Sequence, residues 1–209
     1  MPDLPPEILG HIIDLLSDQS WTLEACCLVS KSWIPLTRKH LFFRIRFDYE
    51  HKYLGWKKAF PDPTNSPAHF VRSLQVLRVP SDIEESGWTW SSFCRVESLD
   101  LYRSSKYPEE GSEFSLSAFR GFSPSVKYLT VRSGTLIAPD TFDLIRSFPF
   151  LEDLTFNGDG SLYDDNQSDG PQISSTSPVL TGTLRFSVGG ALGTIIGQFL
   201  KYLGQRSVF

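Results

Sequence analysis

The chain has 209 residues, 40% of them hydrophobic, and a formal charge of −4 at neutral pH. This composition predicts one sizeable folded body and excludes a wholly disordered chain. Acidic and basic residues are interspersed, which argues against a nucleic-acid partner, and no apolar run reaches the ~18 residues of a membrane-spanning helix.

The cysteines and the first residues indicate the compartment. Cys26, Cys27 and Cys94 lack CxxC spacing, which favours reduced, packed thiols over disulfides. Met1 leads directly into a helical pattern and leaves no room for a secretory signal. We therefore expect an intracellular protein, in the cytoplasm or the nucleus.

The first 46 residues predict three short helices. Asp3 can cap a first helix that has prolines in its first turn, where missing N–H groups cost little. Ser20 or Thr22 can cap a second helix, and Ser30 a third that tolerates Pro35 near its start. The first helix carries a wide stripe of apolar side chains: Ile8, Leu9, Ile12, Ile13, Leu15 and Leu16. So small a unit has more apolar surface than it can bury alone, so a partner is expected.

Two motifs in this segment occur in a fixed order, Leu-Pro-Pro-Glu-Ile-Leu at 4–9 and Leu-Val-Ser-Lys-Ser-Trp at 28–33. Together they resemble the F-box, in the form common in proteins with leucine-rich repeats. The resemblance implies docking onto the Skp-type adaptor of a cullin-RING ubiquitin ligase. The matching apolar positions, expected to bind the adaptor, are Leu4, Pro5, Ile8, Leu9, Ile12, Leu28, Val29 and Trp33. An ordinary three-helix lid, with these stripes as internal core, remains the alternative.

Beyond Phe47 an apolar-x-x-apolar-x-apolar pattern recurs. Its copies begin at Leu74, Val96, Val126 and Leu151, with a weaker fifth copy at Thr181. The middle residues of successive copies are 22 to 30 apart, close to the ~20–29 residues of leucine-rich repeats. Alternation of Leu41, Phe43, Ile45 and Phe47 predicts that the sheet begins directly after the third helix.

The predicted fold class is α/β: an F-box at 1–46, then a curved leucine-rich-repeat-like solenoid with a parallel sheet at 47–209. This part resembles the degenerate repeats that follow F-boxes of the fungal type. A doubly wound α/β domain is the competing architecture. Helical or 3₁₀ connections are expected at 53–60, 67–72, 116–122, 140–148 and 193–203, and long loops at 107–112 and 157–177. The apolar helix at 195–203 has no polar cap after it, which predicts truncation or pairing with another molecule.

Catalytic and metal motifs are incomplete. The four histidines belong to no local nucleophile or ligand pattern. The segment that starts at Asn157 lacks the Gly and Glu of a calcium loop, and Gly189–Gly193 lacks phosphate-binding spacing. We predict no enzymatic activity, cofactor or metal.

Residues that alternate with the buried repeat positions predict a concave binding surface. Tyr and Arg are enriched in interface hot spots, so Tyr102, Tyr128 and Arg132 are the leading candidates. The complete set of predicted target-binding residues is Arg78, Asp100, Tyr102, Tyr128, Arg132, Asp153, Asn157 and Arg185.

Together these patterns predict a non-catalytic substrate receptor of a Skp-cullin-F-box ubiquitin ligase. It would bind the adaptor, and through it a cullin, as well as an unidentified protein target. The alternatives are an interaction scaffold with an F-box-like cap and an enzyme on an α/β domain.

Overall fold

The structure is a computed structural model of the chain. It describes residues 4–77, 90–103, 119, 124–133, 144–145, 147–158 and 182–188. Three α-helices come first, and a fourth lies between the first two strands of a parallel sheet. The described α-helices are α1 (Pro6–Leu15), α2 (Ser20–Val29), α3 (Ile34–Leu41) and α4 (Glu50–Ala59).

The N-terminal helices form in the predicted segments. The predicted Ser20 or Thr22 cap of the second helix is wrong, because both residues lie inside α2 and Gln19 precedes it. Pro6 lies in the first turn of α1, and Pro35 in the first turn of α3. Ser30 caps a 3₁₀ turn, Lys31–Trp33, that leads into α3; the Ser30 side chain accepts a hydrogen bond from the Ser32 N–H. These helices share a small core of their own. Its buried members are Leu9, Ile13, Leu23 and Cys26, and Leu16, Trp33, Leu36 and Leu41 pack against it.

The strands form one six-stranded parallel sheet. Their bounds are β1 (Arg44–Phe47), β2 (Ser73–Val76), β3 (Ser98–Arg103), β4 (Tyr128–Ser133), β5 (Asp153–Gly158) and β6 (Thr183–Val188). Their order across the sheet follows the chain, β1 to β6 without reversal. A doubly wound sheet reverses its strand order at a switch point, so the competing architecture is wrong for the described strands. The α/β class and the start of the sheet at β1 are confirmed.

The register aligns the recurring apolar residues across the sheet. Leu99, Leu129, Leu154 and Leu184 are neighbours in successive strands, and Leu74 precedes them in β2. The first predicted copy, centred on Leu77, is therefore wrong by three residues. The segment 71–79 fits the apolar pattern in two frames, and only pairing with β3 selects the frame in which Leu74 and Val76 are buried.

The buried side of the sheet carries the main core. Next to β1, aromatic rings of Phe47, Tyr53, Trp56 and Trp90 meet at centroid distances of 5.3 to 6.1 Å. The predicted helix at 53–60 is present as α4, which begins three residues earlier. The two cores divide next to Leu41, because Leu41 packs in the helical core and Phe42 in the sheet core.

Other expected elements are described in part or not at all. The predicted 67–72 segment contains a 3₁₀ helix, Pro67–Phe70. Of the 116–122 segment only Phe119 is described, and of 140–148 only residues 144–145 and 147–148. The loop 107–112 and the apolar segment 195–203 lie outside the described residues, as does the loop 157–177 beyond Gly158.

Candidate functional site

The N-terminal helices expose a group of large apolar side chains. Leu4, Ile8, Leu28 and Val29 have 52%, 48%, 89% and 66% of their surface exposed; we call these four residues the helix surface. In α1, residues four apart share a face, so Leu9 and Ile13 point into the core while Ile8 lies about 100° away. The helical periodicity therefore separates the core from the helix surface.

The eight predicted adaptor-binding residues do not all lie at this surface. Pro5 is also exposed, whereas Ile12 and Trp33 are half-buried and Trp33 packs against the helical core. The prediction is wrong for Leu9 as a surface residue, since Leu9 is only 6% exposed and belongs to that core. Adjacent Ile8 and Leu9 are equally apolar in sequence, and only the helix packing assigns them to different sides.

The sequence interpretation did not predict that two further apolar residues of these helices are exposed. Leu15 is 84% exposed and Trp21 is 74% exposed. Leu15 is seven residues after Ile8 in α1, and Trp21 seven before Leu28 in α2, so each extends the exposed stripe of its helix by two turns. This spacing of seven residues is the sequence signal that could have identified them as exposed.

An ion-pair cluster joins α1 to α3. Asp14 Oδ1 lies 2.8 Å from Lys39 Nζ and 2.9 Å from His40 Nε2. The hydrogen bonds from these two side chains, with their positive charge, lower the pKa of the Asp14 carboxyl below its usual value of 3.8.

The side of the sheet opposite the main core forms a polar surface, which we call the open face. Along each strand its residues alternate with the buried ones. Seven of the predicted target-binding residues lie there: Asp100, Tyr102, Tyr128, Arg132, Asp153, Asn157 and Arg185. Arg78 lies outside the described residues, and the corrected register puts Gln75 in the position expected for it.

A hydrogen-bonded network crosses three strands of the open face. Arg132 donates from Nε to Asp100 Oδ1 at 3.1 Å and from Nη2 to Asp100 Oδ2 at 2.8 Å. Gln75 Nε2 donates to the same Asp100 Oδ2 at 2.8 Å. Two-pronged pairing of this kind fixes the plane of the guanidinium group.

Ion pairs also line the amino ends of the strands. Lys127 Nζ lies 3.0 Å from Glu152 Oε1, which raises the pKa of Lys127. Tyr128 Oη donates to Glu152 Oε2 at 3.5 Å, and the Thr183 N–H donates to Asp153 Oδ1 at 3.0 Å. All of these groups are solvent-accessible, so such pairs add little to the stability of the fold.

Histidines, cysteines and acidic residues form no metal-binding group of three or more within the described ranges. His40 pairs with Asp14, His51 stacks on Tyr49 at 5.5 Å, and His69 Nδ1 lies 3.0 Å from the Ser66 carbonyl oxygen. None of the helices described here has the length and apolar character needed to cross a bilayer.

Comparison with protein families supports the N-terminal assignment. Residues 1–48, which include α1 to β1, match the F-box-like family. The match covers less than a quarter of the 209 residues. Curated proteins and solved structures yield no match to the chain.

Proposed function

We propose that this protein is the target-recognition subunit of a Skp-cullin-F-box ubiquitin ligase. The observation that carries the proposal is the exposure of Leu4, Ile8, Leu28 and Val29 within the F-box-like domain. Several large apolar side chains exposed on one small helical domain are typical of a site that a protein partner covers. The F-box-like match supports a Skp-type adaptor as that partner, which would connect the chain to a cullin inside the cell.

The energy available at the helix surface suits a stable complex. Complete burial of one Val, Leu or Ile side chain contributes roughly 1.5–3 kcal/mol. Four such residues, each about half exposed or more, would supply several kcal/mol on docking. Pro5 and the half-buried Ile12 and Trp33 would border the contact. Leu9 would support it from inside the helical core.

The sheet supplies the second half of the proposed function. Its parallel strands follow one another in chain order, and its buried residues recur about every 25 to 30 residues, which supports leucine-rich-repeat-like units. The open face would hold a protein target. No chemical step is needed from this chain, since holding a target lysine near the conjugating enzyme raises its effective concentration.

Docking is testable by co-purification with a Skp-type adaptor. Ile8→Asp and Leu28→Asp each place a charge in the proposed contact, so we expect both variants to lose the adaptor while remaining folded. Leu9→Asp places a charge in the helical core and should unfold the N-terminal domain.

Phe150→Asp is the matched control, because Phe150 is 65% exposed but precedes β5, far along the chain from the helix surface. It should retain the adaptor. If Ile8→Asp and Leu28→Asp both bind the adaptor as the original chain does, the proposed surface is wrong. An interaction scaffold with an F-box-like cap would then be favoured.

A further inference from the structure

The carboxyl ends of β3 to β6 place four hydrogen-bond donors in one row across the open face. Tyr102, Arg132, Asn157 and Ser187 are register neighbours in successive strands. We call these four residues the donor row. It contains a phenol, a guanidinium, an amide and a hydroxyl, and no carboxylate.

Arg132 is the anchored member of the donor row. Asp100 occupies two of its five N–H groups, at 3.1 and 2.8 Å, and Gln75 donates to the same carboxylate. Three N–H groups of Arg132 remain, and its side chain is 45% exposed. Within the described part of the chain, no other acceptor binds them. The guanidinium group is thus held in place with its outer donors directed away from Asp100.

Asp100 is the one carboxylate of the described open face that pairs with a member of the donor row, and it leaves three N–H groups of Arg132 available. Asp153 lies four residues before Asn157 on β5, about 13 Å along the strand, and accepts the Thr183 N–H. Arg185, exposed on β6 two residues before Ser187, adds a positive charge to the Arg132–Asp100 pair. Among the described residues, the carboxyl end of the open face is therefore rich in hydrogen-bond donors and accessible to a ligand that accepts them.

We propose that the donor row binds an acidic segment of the target protein through its Asp or Glu carboxylates. This inference rests on the proposed target-binding role of the open face. Four strands spaced ~4.8 Å apart span about 14 Å, the length of roughly four residues of extended peptide. Arg132 suits a planar carboxylate, since the outer edge of its guanidinium offers a second two-pronged fork. Phosphorylated segments are instead recognised by clusters of arginines, and Arg132 is the only arginine in the donor row.

The full-length chain would be titrated into fluorescein-labelled peptides while anisotropy is measured. The peptides carry four consecutive glutamates, four glutamines, or two phosphoserines in an otherwise identical glycine-serine frame. We expect the glutamate peptide to bind at least about tenfold more tightly than the glutamine peptide, because hydrogen bonds to a charged acceptor are stronger than those to a neutral one. Equal binding of these two peptides would overturn the proposal. At least tenfold tighter binding of the phosphoserine peptide would overturn the assignment of a carboxylate ligand.

The double variant Asp100→Asn with Arg132→Gln removes the anchored guanidinium and leaves the net charge unchanged. It should bind the glutamate peptide about tenfold more weakly. The control Lys127→Gln with Glu152→Gln removes the ion pair at the other end of the strands and should bind as the original chain does. Undiminished binding by the first double variant contradicts the proposal.

If that variant does not fold, as judged by circular dichroism, Arg132→Lys replaces it. Lysine keeps the charge but loses the planar fork, so we expect the glutamate peptide to bind at least about threefold more weakly. Unchanged binding of this peptide would contradict the proposal. Adaptor co-purification of the same variants is measured in parallel. It should be unaffected, so failure of the donor row is distinguished from failure of docking.

Discussion

Gly182 and Gly55 differ in the space available for a side chain. A Cβ at position 182, just before β6, would overlap the carbonyl group of Glu152 and lie 3.0 Å from its Cα. A Cβ at position 55, inside α4, would meet nothing within 4 Å. Gly182 therefore allows β6 to approach β5 closely. Gly55 lowers the helix propensity of α4, and no close contact requires a glycine there.

Gly182→Ala should lower the free energy of unfolding by about 1–3 kcal/mol, because backbone atoms would have to move apart. Gly55→Ala, the matched control, should raise it by about 0.5–1 kcal/mol. Urea denaturation followed by circular dichroism measures both values. A Gly182→Ala variant as stable as the original chain would show that the β5–β6 approach at this point is not close.

Leu9 and Leu77 show where prediction at the residue scale fails. Leu9 was expected at the surface and lies in the helical core, and Leu77 was expected at a repeat centre that Leu74 occupies. In both cases the apolar pattern fits two neighbouring assignments equally well. Tertiary packing decides between them, and that information is not local in the sequence.

The connection between α1 and α3 depends on charge as well as on apolar packing. Asp14 lies between Lys39 and His40, and its pKa is lowered from the usual 3.8. A lowered pKa in the folded chain means that the carboxylate contributes stability above pH 3.8, and that this contribution is lost as the pH falls through the lowered value.

Asp14→Asn should reduce the denaturation midpoint at pH 6, and the difference from the original chain should shrink as the pH falls below about 3.8. Urea denaturation between pH 2 and pH 6 tests this. Asp18→Asn is the control, since Asp18 forms no ion pair within the described residues, and its denaturation midpoint at pH 6 should stay close to that of the original chain. A deficit in Asp14→Asn that stays constant over the whole pH range would mean that the ion pair does not act through ionisation.

Elements as a whole were predicted better than single residues. The three N-terminal helices, α4 and five of the strands follow from helical periodicity and from the alternating or recurring apolar patterns. The network of Gln75, Asp100 and Arg132 could not be predicted from the sequence. Gln75 is 25 residues from Asp100 and Arg132 is 32 from it, so the three meet only once the strands pair in register. Polar contacts between strands depend on pairing that no local pattern encodes.

The whole molecule combines two cores with two exposed surfaces. The helical core holds α1, α2 and α3 together, and the main core lies on one side of the sheet. The helix surface and the open face use residues that neither core needs. Variants at one surface should therefore leave binding at the other intact, as the proposed receptor function requires.

The mass in solution of the chain mixed with a Skp-type adaptor tests the central claim most directly. Light scattering after size-exclusion chromatography, with both proteins at about 20 μM, should give a single species with the mass of a one-to-one complex, since burial of the helix surface favours association at micromolar concentration. Separate peaks at the masses of the two free proteins would contradict the account.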